Sequence, residues 1–276
     1  MRYPGGKAKL SDKIINKIAN YIKDGVQYRE PFFGGGSVGL KLLTTHPITN
    51  VWINDKDIGI ACLWQSVIRY PDLLMHRINE FIPSVELFYQ FKKELLGISE
   101  MSDDVVDIGF KKLAIHQISY SGLGTKSGGP LGGESQKSQY KIDCRWSPKY
   151  ICKKIEKLTA QLNKLNLTCT NNDFSTLIED DSCECVIYLD PPYFVKGNDL
   201  YQHGFTIKDH ERLANALKQT SHPWVLSYDD CWEIRRLYDW AIVEDLTATY
   251  TITSTKNKIT GDRQSLKKGE LLICPK

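Results

Sequence analysis

"EPFFGGGSVGL", residues 30–40, is where the chain changes period. The preceding "VQYREPFF" (26–33) reads as a short strand. The following "GGGSVGLKLL" (34–43) reads as a tight turn feeding a helix. Glycines let a backbone approach a ligand closely, and a helix N-terminus offers N–H groups without intrahelical partners. A strand that ends in this way predicts a ligand crevice at its carboxyl end.

Working outward, "AKLSDKIINKIANYIKDG" (8–25) puts Leu10, Ile14, Ile15, Ile18 and Ile22 on one helical stripe, with Gly25 as a stop. "VWINDKD" (51–57) is a second strand with a polar exit. From 57 to about 120 the pattern is helical, punctuated by Pro71 and Pro83. Residues 121–139 lack apolar periodicity and hold six glycines between 122 and 133, so a sharply bent loop is expected. Ser147-Pro148 is a helix start, with serine as N-cap and proline at the first helical position. Ile151, Ile155, Leu158, Leu162 and Leu165 then line one face. Strands are expected near 167–171, 184–189 and 224–228. Thr206 and Asp209 resemble a capping box. The end, from "DLTATYTIT" (245–253) to "GELLICPK" (269–276), reads as a β-hairpin with a long basic connection. Strand alternating with helix predicts a doubly wound α/β sheet. The helical stretch between the second and third strands interrupts that alternation and reads as an inserted module.

Composition bounds the function. No run of about 18 apolar residues suggests a membrane span, and the start "MRYPGGKAKL" lacks the apolar core of a signal peptide. Eight scattered cysteines form no CxxC pair and show no zinc-ligand spacing, so reduced thiols, no metal and a cytoplasmic location are expected. Net charge is +3, but residues 111–164 carry eleven Lys or Arg against three acids. That block suggests a polyanion-binding face, and a solvated helix surface is the plain alternative.

The glycine turn does not fit GxGxxG well, since Gly34, Gly35, Gly36 and Gly39 are spaced otherwise, and "GLK" stands where a P-loop needs GK[ST]. Asp55, 19 residues after Gly36, suits an acid that grips ribose hydroxyls, or a helix cap. A second polar strand end is "YLDPPY" (188–193). A dehydrogenase has no clear use for it, whereas chemistry on the exocyclic amine of a nucleobase has. The nitrogen lone pair is delocalised into the ring, so the amine is a poor nucleophile. A carboxylate and a proline carbonyl can each accept one of its N–H bonds and draw the nitrogen toward tetrahedral geometry. Proline fixes φ and adds no competing N–H. A tyrosine ring can stack on the base.

These motifs, in this order, resemble the Dam-type adenine-specific DNA methyltransferases, the alpha group of amino methyltransferases. "DPPY" (190–193) is similar to the family's (D/N)PP(Y/F) motif, "FFGGGSV" (32–38) to its cofactor motif, and "YPGGK" (3–7) to its N-terminal aromatic-x-GGK. "YSGL" (120–123) is similar to its DNA-contacting YNGL, and "GFT" (204–206) and the basic terminal hairpin also fit. The resemblance runs from residue 2 to the C-terminus.

The resemblance implies a Rossmann-like S-adenosylmethionine-dependent sheet, formed by residues 1–58 and 159–276. It implies a mostly helical target-recognition domain at 59–158. Asp190, Pro191, Pro192 and Tyr193 are the implied catalytic group. Tyr3, Pro4, Gly5, Gly6, Lys7, Asp55 and Asp190 match cofactor-binding positions. Glu30 and Phe32, with Phe33, Gly34, Gly36 and Ser37, form the turn under the cofactor's methionine part. Asp173 and Phe174 lie by its adenine. Tyr120, Ser121, Leu123, Thr125 and Lys126, with Lys137, Lys141 and Arg145, are the implied DNA contacts. The implied reaction is direct, in-line methyl transfer to the amine of a flipped adenine in double-stranded DNA, by a monomer, bacterial or phage-encoded. A companion restriction endonuclease is left open. So are an amino methyltransferase acting on RNA or a protein amide and an inactive DNA-binding relative. Lys7 also reads as a surface lysine, and Tyr120 as core. Tyr140, Trp146 and Tyr150 read either as DNA-facing or as packing within the module, and His116 and His203 as structural.

Overall fold

A computed structural model describes residues 6–7, 10–101, 104–195, 204–247 and 269–276. Five parallel strands form most of one sheet: β1 (Gln27–Glu30), β2 (Asn50–Asn54), β3 (Asn166–Thr170), β4 (Cys185–Leu189) and β5 (Trp224–Asp229). β6 (Ile242–Thr247) and β7 (Gly269–Cys274) complete it as an antiparallel pair, with β7 also antiparallel to β5. The order is β3-β2-β1-β4-β5-β7-β6. The chain reverses direction across the sheet between β1 and β4, and such a switch point opens a crevice at the carboxyl strand ends.

β4 is buried at every position, as a central parallel strand covered on both faces must be. Its side chains divide by the period-2 rule. Val186 and Tyr188 join one core, with Ile14 and Ile18 of α1 (Ser11–Ala19), Leu42 of α2 (Gly39–Thr45) and Trp64 of α3 (Ile58–Arg69). Ile187 and Leu189 join the opposite core, with Phe174 of α8 (Phe174–Glu179), Leu213 and Leu217 of α9 (Ile207–Gln219) and Ile234 of α10 (Trp232–Leu237).

Between β2 and β3 lie α3, α4 (Pro71–Glu80), α5 (Val85–Gly97), α6 (Val105–Ile118), two 3-10 turns (Tyr120–Gly122 and Gly124–Lys126) and α7 (Pro148–Leu162). α3, α4 and α7 share the sheet's core, while Phe88, Leu95, Ile108, Ile115, Ile118 and Ile142 build a smaller cluster of their own.

The expected elements are present with local differences: α1 ends at Ala19, short of Ile22 and Gly25, and α7 ends at Leu162, short of Leu165. Ser147 makes no side-chain cap bond, although Pro148 does open α7. α8 and α10 were not expected, because six residues are too few to carry a helical period. The Thr206–Asp209 capping box is formed in both directions. The two terminal strands pair as expected, and their basic connection, residues 248–268, lies outside the described residues.

Candidate active site

The glycine turn after β1 is fixed from three sides. Phe33 N–H donates to the Asn54 carbonyl (2.9 Å). The Trp64 indole of α3 donates to the Gly34 carbonyl (2.8 Å), and Gly34 N–H donates to Asp55 Oδ2 (2.7 Å). Glu30, at the end of β1, turns inward and accepts from the Tyr28 hydroxyl (2.7 Å) and from Gly39 N–H. A Cβ at Gly39 would lie 2.3 Å from Glu30 Oε2, so a side chain there would have to displace the buried Glu30 carboxyl. Burial pushes the Glu30 carboxyl well above its ordinary range.

Asp55 follows β2. Its Oδ1 accepts from Asp57 N–H (2.9 Å), so backbone donors fix both oxygens while each keeps a lone pair for a ligand. Burial, then the nearby Asp57 charge, pushes its pKa up to about 7. Asp57, and not Asp55, is the helix cap: it accepts from Ile60 N–H (3.2 Å) at the start of α3. Asp173 caps α8 (3.1 Å to Ser175 N–H) and pairs with Arg212 of α9 (2.8 Å). Phe174 packs at a tilt against Phe32 and Phe205, with ring centroids 5.7 and 5.5 Å away.

The "DPPY" turn follows β4, across the switch point. Asp190 Oδ1 accepts from the Lys7 ammonium (2.9 Å) and from the Ser227 hydroxyl (3.0 Å). Ser227 is itself hydrogen-bonded to the Tyr188 hydroxyl (3.0 Å). Lys7 is buried, its ammonium 4.4 Å from the centroid of the Tyr193 ring, so it is not a surface lysine. The Tyr193 hydroxyl donates to Glu270 Oε2 of β7 (3.0 Å), an oxygen that lies 3.9 Å from the Lys7 ammonium. Burial pushes the Asp190 carboxyl above its ordinary value; Lys7 opposes that shift and Glu270 adds to it. Asp229, ending β5, accepts from Phe194 N–H (3.0 Å) and Val195 N–H (2.9 Å) and so holds the turn from beyond.

These strand ends share a cavity of about 420 Å³. Gly6, Glu30, Phe32, Phe33, Gly34, Gly36, Ser37, Asp55, Asp173, Phe174, Asp190 and Pro192 of the expected site line it. Lys7 is tied to the same wall by its N–H bond to Ser37 Oγ (3.0 Å). Tyr3, Pro4 and Gly5 lie outside the described residues, as does His203. Ser227, Asp229, Glu270, Asp57 and Lys112 carry no local motif and were missed by sequence reasoning. Their roles depend on strand order and helix packing.

The expected DNA contacts divide. Leu123, Thr125 and Lys126 line the cavity, with Thr125 buried and Lys126 exposed. Tyr120 is 64% exposed and therefore not core. Ser121 is exposed too and adopts φ 55°, a strained conformation for a residue with a Cβ. Lys137, Lys141 and Arg145 are exposed away from the cavity, as are Tyr140 and Tyr150 (61% and 68%). Trp146 packs inside the module, edge-on to Phe81 at 4.9 Å.

The sequence model of the D12 class N6 adenine-specific DNA methyltransferases matches residues 3–252. The chain belongs to this family. It is 25% identical over 209 residues to the type II methyltransferase M.MjaIII of Methanocaldococcus jannaschii, spanning 70% of this chain and 68% of that one. It is 25% identical over 238 residues to the Retron Ec67 DNA adenine methylase of Escherichia coli, spanning 82% and 76%. As a D12 class member the chain is an enzyme that transfers a methyl group from a donor to adenine in DNA. The sheet and cavity thus belong to a Rossmann-like methyltransferase. No helix among the described residues is long and apolar enough to cross a membrane.

Proposed function

We propose that the methyl donor is S-adenosylmethionine and that Asp190, Pro191, Pro192 and Tyr193 act on the amine of an adenine flipped out of duplex DNA. The observation that carries this reading is the Lys7 ammonium. It rests against Asp190 (2.9 Å) and over the Tyr193 ring (4.4 Å). A base amine and a base ring need those same two partners, a carboxylate acceptor and a stacking face. Lys7 therefore marks the base position, and it shifts when a base enters.

The cavity suits a cationic donor. Glu30, Asp55, Asp57, Asp173, Asp190 and Asp209 outnumber Lys56, Lys112, Lys126 and Arg212 on its wall, and the mutually tilted rings of Phe32, Phe174 and Phe205 provide an apolar surface. When bound, the donor's sulfonium supplies an electrophilic methyl group. Asp55 accepts its ribose hydroxyls, and the Gly34–Ser37 turn lies under its methionine part. Asp190 accepts one N–H of the adenine amine and the Pro191 carbonyl accepts the other, which frees the nitrogen lone pair for in-line attack. The new C–N bond would form as the C–S bond breaks, the thioether would leave, and one amine proton would pass to water. Preorganised acceptors of this kind act mainly by positioning and electrostatics. Tyr193, its hydroxyl anchored by Glu270, holds the ring. Flipping costs a few kcal/mol, offset by this stacking.

The helical stretch 59–158 is the proposed target-recognition region, with the exposed Tyr120, Lys126, Lys137, Lys141 and Arg145 facing duplex DNA. In family members that methylate GATC, the resemblance puts an arginine two residues after YNGL; here Thr125 holds that place and is buried. Arginine reads guanine through two parallel hydrogen bonds, which threonine cannot copy. A short adenine-containing site other than plain GATC is the consequence. Incubation with methyl-labelled S-adenosylmethionine and duplex DNA, RNA or protein tests the reading. Label in DNA adenine alone is expected, and label in RNA or protein would overturn it.

A further inference from the structure

We infer that Lys112 and His116, on the inner face of α6, are positioning residues that couple methyl-donor binding to DNA binding. They hold the donor-site acid and the 120–126 turn on one helix. The inference rests on the donor reading above.

One end of this strut is the donor site. Lys112 is 2% exposed, yet it carries an ammonium group. A buried charge of this kind persists only where it is paired. Its partner is Asp57 Oδ2. Burial pushes the Asp57 carboxyl up, but the Lys112 ammonium outweighs it and holds Asp57 below the usual range. Asp57 N–H in turn donates to Asp55 Oδ1 (2.9 Å), and Asp55 Oδ2 accepts from Gly34 N–H (2.7 Å). Lys112 thus fixes the residue that fixes the proposed ribose acceptor.

The other end is the turn. His116 lies one helical turn beyond Lys112 on the same face of α6. Its Nδ1 donates to the Gly122 carbonyl (2.8 Å). Its ring lies under Gly124, where a Cβ would meet it at 2.7 Å, and Gly124 has φ +59°. The imidazole therefore occupies the space that a side chain at 124 would need, and packs against the backbone immediately before Thr125 and Lys126. Lys112, His116, Leu123, Thr125, Lys126, Asp55 and Asp57 all line one cavity. A shift of the turn on DNA moves α6, and with it the Lys112–Asp57 pair. By linkage, the donor's effect on DNA affinity equals DNA's effect on donor affinity.

Calorimetry of S-adenosylmethionine binding, with and without a duplex carrying the site that the wild type methylates, tests this. S-adenosylhomocysteine, the product that lacks the transferable methyl group, replaces the donor where turnover interferes. In the wild type, DNA is expected to tighten donor binding by about 5-fold or more, within the usual range of such couplings. Lys112→Met is expected to bring that ratio below about 2-fold. If Lys112→Met folds poorly, the double variant Lys112→Met with Asp57→Asn removes both buried charges; its own donor affinity without DNA is the baseline, and the ratio should again fall below about 2-fold. A ratio unchanged from wild type in either variant overturns the inference alone, as does a wild type without coupling. A wild type that binds no S-adenosylmethionine overturns the donor reading, and the inference falls with it.

Discussion

Replacing Asp190 with alanine removes the oxygen that accepts from Lys7 (2.9 Å) and Ser227 (3.0 Å), together with the proposed acceptor of the adenine N–H. Two consequences separate. Structurally, a buried hydroxyl and ammonium each lose an acceptor, worth about 1–3 kcal/mol apiece, partly recovered because Lys7 keeps Glu270 within 3.9 Å. Chemically, losing a preorganised transition-state partner costs about 100-fold or more in turnover, near 2.7 kcal/mol. Asp190→Asn separates the two, because its carbonyl oxygen still accepts from Ser227 and Lys7 while the charge is gone. The expected pattern is a lower melting temperature and at least about 100-fold slower methyl transfer for alanine, with asparagine near wild-type stability and intermediate in rate. Single-turnover transfer of labelled methyl groups to duplex DNA, with melting curves alongside, reads both. A folded Asp190→Ala enzyme within about 3-fold of the wild-type rate would refute the reasoning, since that is barely 0.6 kcal/mol.

Asp55→Ala should weaken S-adenosylmethionine binding by about 1.5–3 kcal/mol, the range for hydrogen bonds to a charged group, with DNA affinity in the absence of donor little changed; calorimetry showing equal donor affinity would remove Asp55 from the site. The folded-state pKa of Asp55 is raised from 3.8 to about 7. Its contribution to stability is therefore full below about 3.8 and declines as pH rises toward 7. Asp55→Asn should flatten that part of the stability–pH profile, and an unchanged slope would contradict the shift. Gly39→Ala puts a Cβ 2.3 Å from Glu30 Oε2; it should lower the melting temperature and weaken donor binding together, and a variant as stable as wild type would show that the turn can relax. Glu270→Ala strands the Tyr193 hydroxyl, worth about 1–3 kcal/mol, so Tyr193→Phe should lose much less when made in that background than in the wild type; additive effects in a double-mutant cycle would contradict the pairing.

Much of the candidate site was legible because its proposed chemistry is local. Asp190 and Tyr193 sit three residues apart, and the glycine turn and Asp55 sit at strand ends. The alternation of strand and helix was legible too, since β4 is apolar at all five positions and α9 begins with its capping box. What was hidden depends on topology. Glu270 meets Tyr193 across 77 residues of sequence, because β7 inserts antiparallel beside β5. Ser227 meets Asp190 because β5 lies next to β4. Lys112 looked like one of eleven basic residues in a DNA-facing block, yet it is buried against Asp57. Net charge over a segment cannot tell an inward lysine from an outward one. For the same reason Thr125 and Lys126, adjacent in sequence, differ in exposure: the 3-10 turn points one inward and the other out.

Nucleoside mass spectrometry tests the central claim most directly. Duplex DNA is incubated with the protein and S-adenosylmethionine carrying a heavy methyl group, then digested to nucleosides. The expected result is heavy N6-methyladenine from the wild type, at least about 100-fold less from Asp190→Ala, and no heavy methylcytosine from either. Heavy methyl on cytosine, or equal N6-methyladenine from both proteins, would contradict the assignment of Asp190 and Tyr193 to the adenine amine.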